Sequence, residues 1–207
     1  LRTMTAFGEV LTEELGDDLK EDEIDALQRI RRAGEQMREM IDAILEYSRS
    51  ARADVNPTDL KLEDTIQLVQ ESLESEINDV GAVFHVQEDL PTIRADKMLI
   101  YRIVMNLVAN ALKFNDSGKP EIRITSRKQD EYTFVGVEDN GIGVPLEYSK
   151  TIFKPFERLH TKGDYKGHGI GLAIADRLVQ TQGGEIWCEN TSSGVGSRFV
   201  FTIPNSD

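Results

Sequence analysis

The sequence has 207 residues, 39% of them hydrophobic, and a net charge of −13, which allows one sizeable domain and a smaller element. This charge argues against non-specific binding to nucleic acid or anionic lipid. The single cysteine, Cys188, excludes a disulfide within the chain and favours a reducing cytoplasm, and no apolar stretch reaches the length of a membrane span.

Residues 1–52 predict two helices. The first has apolar residues at helical spacing and ends near Gly16. The second begins near Asp22, and its apolar residues recur every three or four positions: Leu27, Ile30, Gly34, Met37, Ile41, Ile44 and Leu45. Because this stripe is longer than a lone hairpin can bury, we favour a dimeric four-helix bundle over a hairpin packed only on its own domain.

A short polar linker, residues 53–57, precedes a second region, 58–207, in which strands and helices alternate. Helices are predicted over Glu63–Asn78, Asp96–Phe114 and Ile170–Gln182. Strands are predicted over Thr58–Leu62, Ala82–Gln87, Glu121–Arg127, Tyr132–Glu138, Glu185–Glu189 and Ser197–Ile203, with a turn at Lys128–Glu131. The pattern indicates an α+β fold, a two-layer α/β sandwich with a mixed sheet.

The segment Phe134–Val144 is the centre of the predicted site. A buried strand ends by placing Asp139 in a turn, and Gly141 and Gly143 permit close approach of a ligand. A carboxylate beside bare backbone suits a flat ring that donates hydrogen bonds. A tight turn with no ligand explains the segment equally well.

The helix Asp96–Phe114 carries the second part of the site. Asn106, Asn110 and Lys113 lie at i, i+4 and i+7, so two amides and an ammonium share one half-buried face. Amide oxygens suit Mg²⁺ and lysine suits phosphate, although an exposed polar stripe is the alternative. The other residues of this helix are predicted to be buried: Leu99, Ile103, Val104, Leu107, Val108 and Leu112.

The third part is the lid segment, Lys154–Gly171, which is long, basic and rich in glycine. Its last glycines, Gly167, Gly169 and Gly171, lead directly into a helix, where backbone amides attract phosphate. The segment predicts a cover over a ligand, and a solvated flexible loop explains it equally well. A fourth, weaker part is the turn Gly194–Ser197 before the last strand.

In this order the segments resemble the ATP-binding (GHKL) domain of sensor histidine kinases, in the superfamily of gyrase-type, chaperone and mismatch-repair ATPases. The resemblance covers about Thr58–Pro204. It rests on Asn106–Phe114 (the N box), Asp139–Gly143 (G1), Phe153–Phe156 (F), Gly167–Leu172 (G2) and the final glycine turn Gly194–Phe199. Ile44–Arg49 resembles the close of the family's dimerisation hairpin, and the opening Leu1–Phe7 resembles phytochrome-type kinases.

The resemblance implies roles for individual residues. Asp139 would bind the adenine amino group, and Asn110 would bind Mg²⁺ with Asn106 nearby. Lys113 would contact phosphate, and Arg158 would reach the γ-phosphate from the lid segment. On this basis Asn106, Lys113 and Arg158 are predicted to be catalytic. The predicted nucleotide-binding residues are Asn110, Lys113, Phe114, Asp139, Gly141, Ile142, Gly143, Phe153, Gly167, His168, Gly169, Ile170, Gly171 and Leu172.

The implied function is an ATP-dependent protein-histidine kinase core of a two-component sensor, with ATP or ADP and Mg²⁺ as ligands. The hydrolysing relatives have a glutamate where this chain has Asn106, and an amide cannot act as a general base. The implied partners are a second copy of the chain, a response-regulator receiver domain and an upstream sensory domain. The expected location is the cytoplasm, with neither nucleic acid nor a membrane segment involved.

The three histidines, His85, His160 and His168, lie outside the helical hairpin, which carries the phosphoacceptor in the resembling family. We therefore expect the acceptor just upstream of Leu1, and we expect the chain as given to bind ATP without phosphorylating itself. Two alternatives remain: a nucleotide-binding pseudokinase scaffold and a hydrolysing ATPase of the same superfamily.

Overall fold

The computed structural model describes residues 20–50, 54–159, 165, 167–191 and 193–205. The chain divides into two compact units, 1–46 and 47–207. The predicted first helix lies outside the described residues, and the predicted domain limits stay predictions. Among the described residues, no helix has the length and apolar character needed to cross a membrane.

The first unit is described from residue 20 and consists of most of α1, Glu21–Ser50, whose last turn belongs to the second unit. The predicted stripe lies along this helix, and much of it is exposed to solvent. The large exposed side chains of α1 are Ile30, Met37, Met40, Ile41, Ile44 and Leu45, each 41–52% exposed.

The described residues of the second unit form four further α-helices, two 3₁₀-helices and seven strands. In chain order they are β1 (Thr58–Lys61), α2 (Leu62–Ser72), α3 (Glu74–Val80), β2 (Val83–Val86), β3 (Thr92–Ala95), α4 (Lys97–Lys113), β4 (Glu121–Gln129), β5 (Tyr132–Asp139), the 3₁₀-helices Leu146–Tyr148 and Thr151–Phe153, α5 (Gly171–Thr181), β6 (Ile186–Asn190) and β7 (Ser197–Pro204).

The main sheet has the strand order β2-β4-β5-β7-β6, and β1 pairs with β3 in a separate ribbon. Only the β2–β4 pair is parallel, so the sheet is mixed, as predicted. Helix α4 packs between α2 and α5, and the core between helices and sheet contains Ile103, Leu107, Ile122, Ile124 and Phe201, none of which is exposed. The predicted α+β sandwich is confirmed.

Helix α4 begins and packs as the sequence predicts. Asp96 caps it, because its Oδ1 accepts hydrogen bonds from Met98 N at 2.9 Å and Leu99 N at 3.1 Å. All six residues predicted to be buried along this helix are buried. The opposite face is half-buried and carries Asn106, Asn110 and Lys113.

Three local predictions are wrong. The single helix predicted over Glu63–Asn78 is two helices, α2 and α3, which meet at Leu73, a buried residue outside helical geometry (φ −109°, ψ 17°). The apolar spacing continues across this break, so the pattern hides it. The second is the omission of strand β3 from the predicted strands.

The third wrong prediction concerns the turn between β4 and β5, which is shorter than predicted. Lys128 pairs with Thr133 and Gln129 pairs with Tyr132, which leaves only Asp130 and Glu131 in the turn. The polar residues at the end of β4 reflect exposure to solvent, which a strand end tolerates. Asp130 supports the short turn with a φ of 52°.

Candidate functional site

Asp139 ends β5 as a buried carboxylate that is 9% exposed. Its Oδ1 accepts hydrogen bonds from Gly141 N at 2.8 Å and from Ser197 N at 3.3 Å. Burial raises the pKa of Asp139 to about 6, although these two backbone donors oppose the rise. The weak fourth part of the sequence pattern therefore contacts the acid directly.

The turn after β5 lies against the end of α4. Ile142 N donates to the carbonyl oxygen of Phe114 at 3.1 Å. A Cβ on Gly141 would collide with that same carbonyl and would lie 2.9 Å from Asp139 Oδ1, so the close approach requires glycine. Asp139 and the predicted pocket residue Phe114 are therefore joined through one short turn.

The polar face of α4 lies beside the start of α5. The Asn106 side chain donates from Nδ2 to the carbonyl oxygen of Arg102 at 2.9 Å, which fixes the orientation of the amide. A Cβ on Gly171, the first residue of α5, would lie 2.9 Å from Asn106 Oδ1. Ile170 precedes α5 and has no polar side chain that could cap the first turn of this helix.

Lys113 lies where α4 meets the lid segment. Its Nζ lies 4.5 Å from the centroid of the Phe114 ring, and a Cβ on Gly167 would lie 2.5 Å from that nitrogen. Burial lowers the pKa of Lys113, and the nearby positive charge of Arg158 lowers it further. Two cations thus lie close enough to repel each other, an arrangement that a polyanion would stabilise.

The described part of the lid segment contacts the end of α4. Phe156 N donates to Gly169 O at 2.9 Å, and Arg158 Nη2 donates to Tyr165 O at 2.9 Å. The Tyr165 ring lies 4.9 Å from the Phe114 ring, and its hydroxyl donates to Asp116 Oδ1 at 2.8 Å. Sequence reasoning missed Tyr165 and Asp116. An aromatic residue among glycines and charges was the available signal for Tyr165, and nothing marked Asp116.

The remaining predicted residues lie in several parts of the second unit. Gly143 and Ile142 lie in the turn after β5, where a Cβ on Gly143 would be 3.1 Å from Gly196 O. Phe153 packs against Phe199 of β7, with ring centroids 6.3 Å apart. The others line the approach to α5 or lie on α4: Asn110, His168, Ile170 and Leu172 are half-buried or buried.

The two histidines that the structure describes, His85 and His168, lie on different elements. His85 is exposed on β2, with Nε2 3.8 Å from Glu121 Oε2. His168 is half-buried just before α5. His160 lies outside the described residues.

Residues 95–207 match the sequence model of a family described as histidine kinase-, DNA gyrase B-, and HSP90-like ATPase. The matched region begins just before α4 and contains Asp139, the polar face of α4 and the lid segment.

Curated relatives include proteins named as phytochromes and proteins named as sensory kinases. Cyanobacterial phytochrome B of Nostoc sp. is 33% identical over 206 residues, which cover 98% of this chain and 27% of that protein. Phytochrome-like protein Cph1 of Synechocystis sp. is 36% identical over 81% of this chain and 22% of its own length. The adaptive-response sensory kinase SasA of Synechococcus elongatus is 32% identical over 83% of this chain and 46% of its own length. The chain thus spans about a quarter to a half of these relatives.

The solved structures that this chain resembles include histidine kinases. The nucleotide-free catalytic domain of histidine kinase ThkA has a TM-score of 0.62 and 29% identity, covering 72% of this chain and 96% of that one. ThkA in complex with the response regulator TrrA has a TM-score of 0.70 and 26% identity, covering 99% of this chain and 58% of that one. Full-length ShkA in complex with AMPPNP, at 22% identity and a TM-score of 0.71, shares the fold over 99% of this chain and 46% of that one.

Proposed function

Because the chain belongs to the histidine kinase-, DNA gyrase B-, and HSP90-like ATPase family, we propose that it binds Mg-ATP and transfers the γ-phosphoryl group to a protein histidine. The observation that carries the proposal is the junction at Phe114. There the turn beside Asp139, the end of α4 and Tyr165 of the lid segment meet around one residue. The relatives and structural neighbours that are named sensory or histidine kinases support the transfer reaction.

The base-binding end of the site is formed by Asp139 and the turn that follows it. The ionised carboxylate would accept a hydrogen bond from the adenine amino group, while Gly141 leaves room beside it. Phe114 and Ile142 would supply apolar surface for the ring, together with Gly143, with Ile170 just before α5 and with Leu172 in the first turn of α5. A bound adenine ring would also bury the side of Asp139 that Gly141 and Ser197 do not cover.

The residues at the other end fit a magnesium–triphosphate group. Asn110 presents an amide oxygen, a hard ligand suited to Mg²⁺, on the same face as Asn106. Lys113 and Arg158 would bind phosphate oxygens, which would relieve the repulsion between the two cations. When bound, Mg²⁺ would supply charge neutralisation to the phosphate oxygens.

Asn106 favours transfer to a side chain over hydrolysis. An amide cannot take a proton from water, and the Asn106 amide is held by its bond to Arg102 O. The residues of this site therefore position the substrate and stabilise its charge, and the accepting group must come from a protein side chain.

We place the acceptor histidine outside the 207 residues, on a helical hairpin to which α1 belongs. Two copies of the chain would pair through the exposed apolar side chains of α1. A response-regulator receiver domain would then take the phosphoryl group on an aspartate, and an upstream sensory domain would control the cycle in the cytoplasm. ThkA, a structural neighbour, has a structure in complex with a response regulator.

The test is incubation of the protein, extended upstream of Leu1, with γ-labelled Mg-ATP. We expect acid-labile, base-stable label on the extended protein, its loss in Asn110→Ala and its retention in the control Asn190→Ala, an exposed residue of β6. ATP binding without label would favour a scaffold, and steady phosphate release without label would favour a hydrolase. Either result would overturn the transfer reaction.

A further inference from the structure

Tyr165 contacts three separate parts of the candidate site, although no motif marks it. Its ring lies 4.9 Å from the Phe114 ring at an interplanar angle of 56°. Its hydroxyl donates to Asp116 Oδ1 at 2.8 Å, and its carbonyl accepts from Arg158 Nη2 at 2.9 Å. One half-buried residue thus connects the end of α4, the loop after it and the arginine at the phosphate end.

We propose that Tyr165 is a positioning residue that holds Arg158 at the phosphate end of the site and thereby favours ATP over ADP. The inference rests on the proposed function, since it takes Arg158 as the partner of the γ-phosphate. It goes beyond that function by assigning the ATP preference to a residue that would itself bind neither base nor phosphate.

The contacts of the tyrosine side chain determine where its carbonyl points. The ring is held by Phe114 and the hydroxyl by Asp116, so the side chain is fixed at two points along its length. The aromatic pair and the hydrogen bond together restrict the side chain more than either contact would alone. The backbone carbonyl is therefore presented to Arg158 in one orientation.

Arg158 needs such an anchor for two reasons. Its side chain is exposed and long, so holding it in one conformation costs rotamer entropy before any phosphate arrives. Lys113 also repels it, and this repulsion adds to burial, the larger cause, in lowering the pKa of that lysine. A carbonyl acceptor offsets both effects, and a pre-positioned arginine binds phosphate with less loss of entropy.

The test compares the affinities for Mg-ATP and Mg-ADP of the wild-type protein, Tyr165→Phe, Asp116→Ala and the double variant, by calorimetric titration. Tyr165→Phe keeps the ring and removes the hydroxyl bond, so the Kd for ATP should rise about two- to tenfold, the worth of one hydrogen bond. The Kd for ADP, which has no γ-phosphate, should change less than about twofold. The double variant should match the single ones, because all three lose the same bond.

Two controls separate positioning from stability. Asp116→Asn retains an oxygen acceptor and should keep the wild-type preference for ATP. Tyr132→Phe removes a hydroxyl from an exposed tyrosine on β5 and should leave the Kd values for ATP and ADP unchanged. Thermal unfolding checks that every variant is folded.

Unchanged affinities in Tyr165→Phe, or equal losses for ATP and ADP, would overturn the inference. A wild-type protein that binds neither nucleotide would overturn the proposed function first, and that titration precedes the variants.

Discussion

At the scale of single residues, Asp139 is a carboxylate that the fold largely removes from water. Desolvation raises its pKa to about 6, and only two backbone N–H groups compensate its charge. An acid held in this way is costly for stability and is typical of functional sites. A ligand that donates a hydrogen bond to the carboxylate would recover part of the cost.

We predict that Asp139→Asn weakens ATP binding about a hundredfold or more, because a hydrogen bond to a charged acceptor is lost and an amide donor faces the adenine amino group. The fold should persist, since the amide oxygen can still accept from Gly141 N and Ser197 N. Equilibrium binding of a fluorescent ATP analogue measures the loss. Asp130→Asn, in the β4–β5 turn, is the matched control, and wild-type affinity in Asp139→Asn would disprove the adenine assignment.

The same residue predicts a pH dependence of stability in the absence of nucleotide. The folded-state pKa of about 6 lies above the unfolded value, so the folded state holds the proton more tightly between these two values. Stability from this group is therefore fully present below about pH 4 and is lost as the pH rises through 6. The loss amounts to about 3 kcal/mol.

Urea unfolding of wild type and Asp139→Asn from pH 4 to pH 7 isolates this effect, because all other titrating groups are common to both proteins. The wild type should lose about 3 kcal/mol relative to the variant across this range. A stability difference that stays constant with pH would show that Asp139 titrates normally.

At the scale of elements, the site depends on how the end of α4 is fastened to the end of β5. Asn140 forms three bonds across this junction: its Oδ1 accepts from Asn115 Nδ2 at 2.7 Å and from Glu121 N at 2.8 Å, and its Nδ2 donates to Lys119 O at 3.0 Å. These bonds fix the loop that leads from α4 into β4. They hold Phe114 beside Asp139 before any ligand binds.

We therefore predict that Asn140→Ala lowers the free energy of unfolding by about 1–3 kcal/mol, because three polar groups lose a partner. Asn140→Asp should cost less, since a carboxylate still accepts from Asn115 and Glu121. Urea unfolding measures both, and Asn190→Ala at the exposed end of β6 should stay within about 0.5 kcal/mol of wild type. Equal stability of Asn140→Ala and Asn190→Ala would contradict a fastening role.

At the scale of the whole molecule, the two units present different surfaces. The second unit buries a continuous core, whereas α1 exposes six large apolar side chains along its length. Such a face is typical of a helix that packs against another chain or another helix. The proposed dimer would cover this face and leave the nucleotide site of each copy intact.

We predict that the double variant Ile41→Glu/Ile44→Glu raises the dissociation constant of the dimer by about a hundredfold or more, because burying an unpaired carboxylate is strongly unfavourable. Sedimentation velocity over a dilution series measures the change. Gln28→Glu introduces the same residue on the polar side of α1 and should leave association unchanged. ATP affinity should not change in either variant, and a dimer of wild-type strength in the double variant would exclude this face as the interface.

The architecture of the second unit and the polar face of α4 could both be predicted from the sequence. Apolar spacing is a local property of the chain, and each turn of α4 repeats it, so the buried positions from Leu99 to Leu112 follow from pattern alone. The break at Leu73 could not be predicted in this way, because the spacing of Val69, Leu73 and Ile77 continues through it. Strand β3 was missed although its residues alternate between exposed and buried positions.

Spacing and residue type in the sequence determined the elements, the carboxylate at the end of β5 and the amides of α4, since these are properties of neighbouring residues. Only the tertiary structure decided that Ile142 N would donate to Phe114 O, that Gly171 would lie against Asn106 and that the Tyr165 ring would pack on Phe114. These contacts join residues that are far apart in the chain. They arise because sheet pairing and helix packing bring the ends of separate elements together. A local sequence pattern does not specify which of these ends will meet.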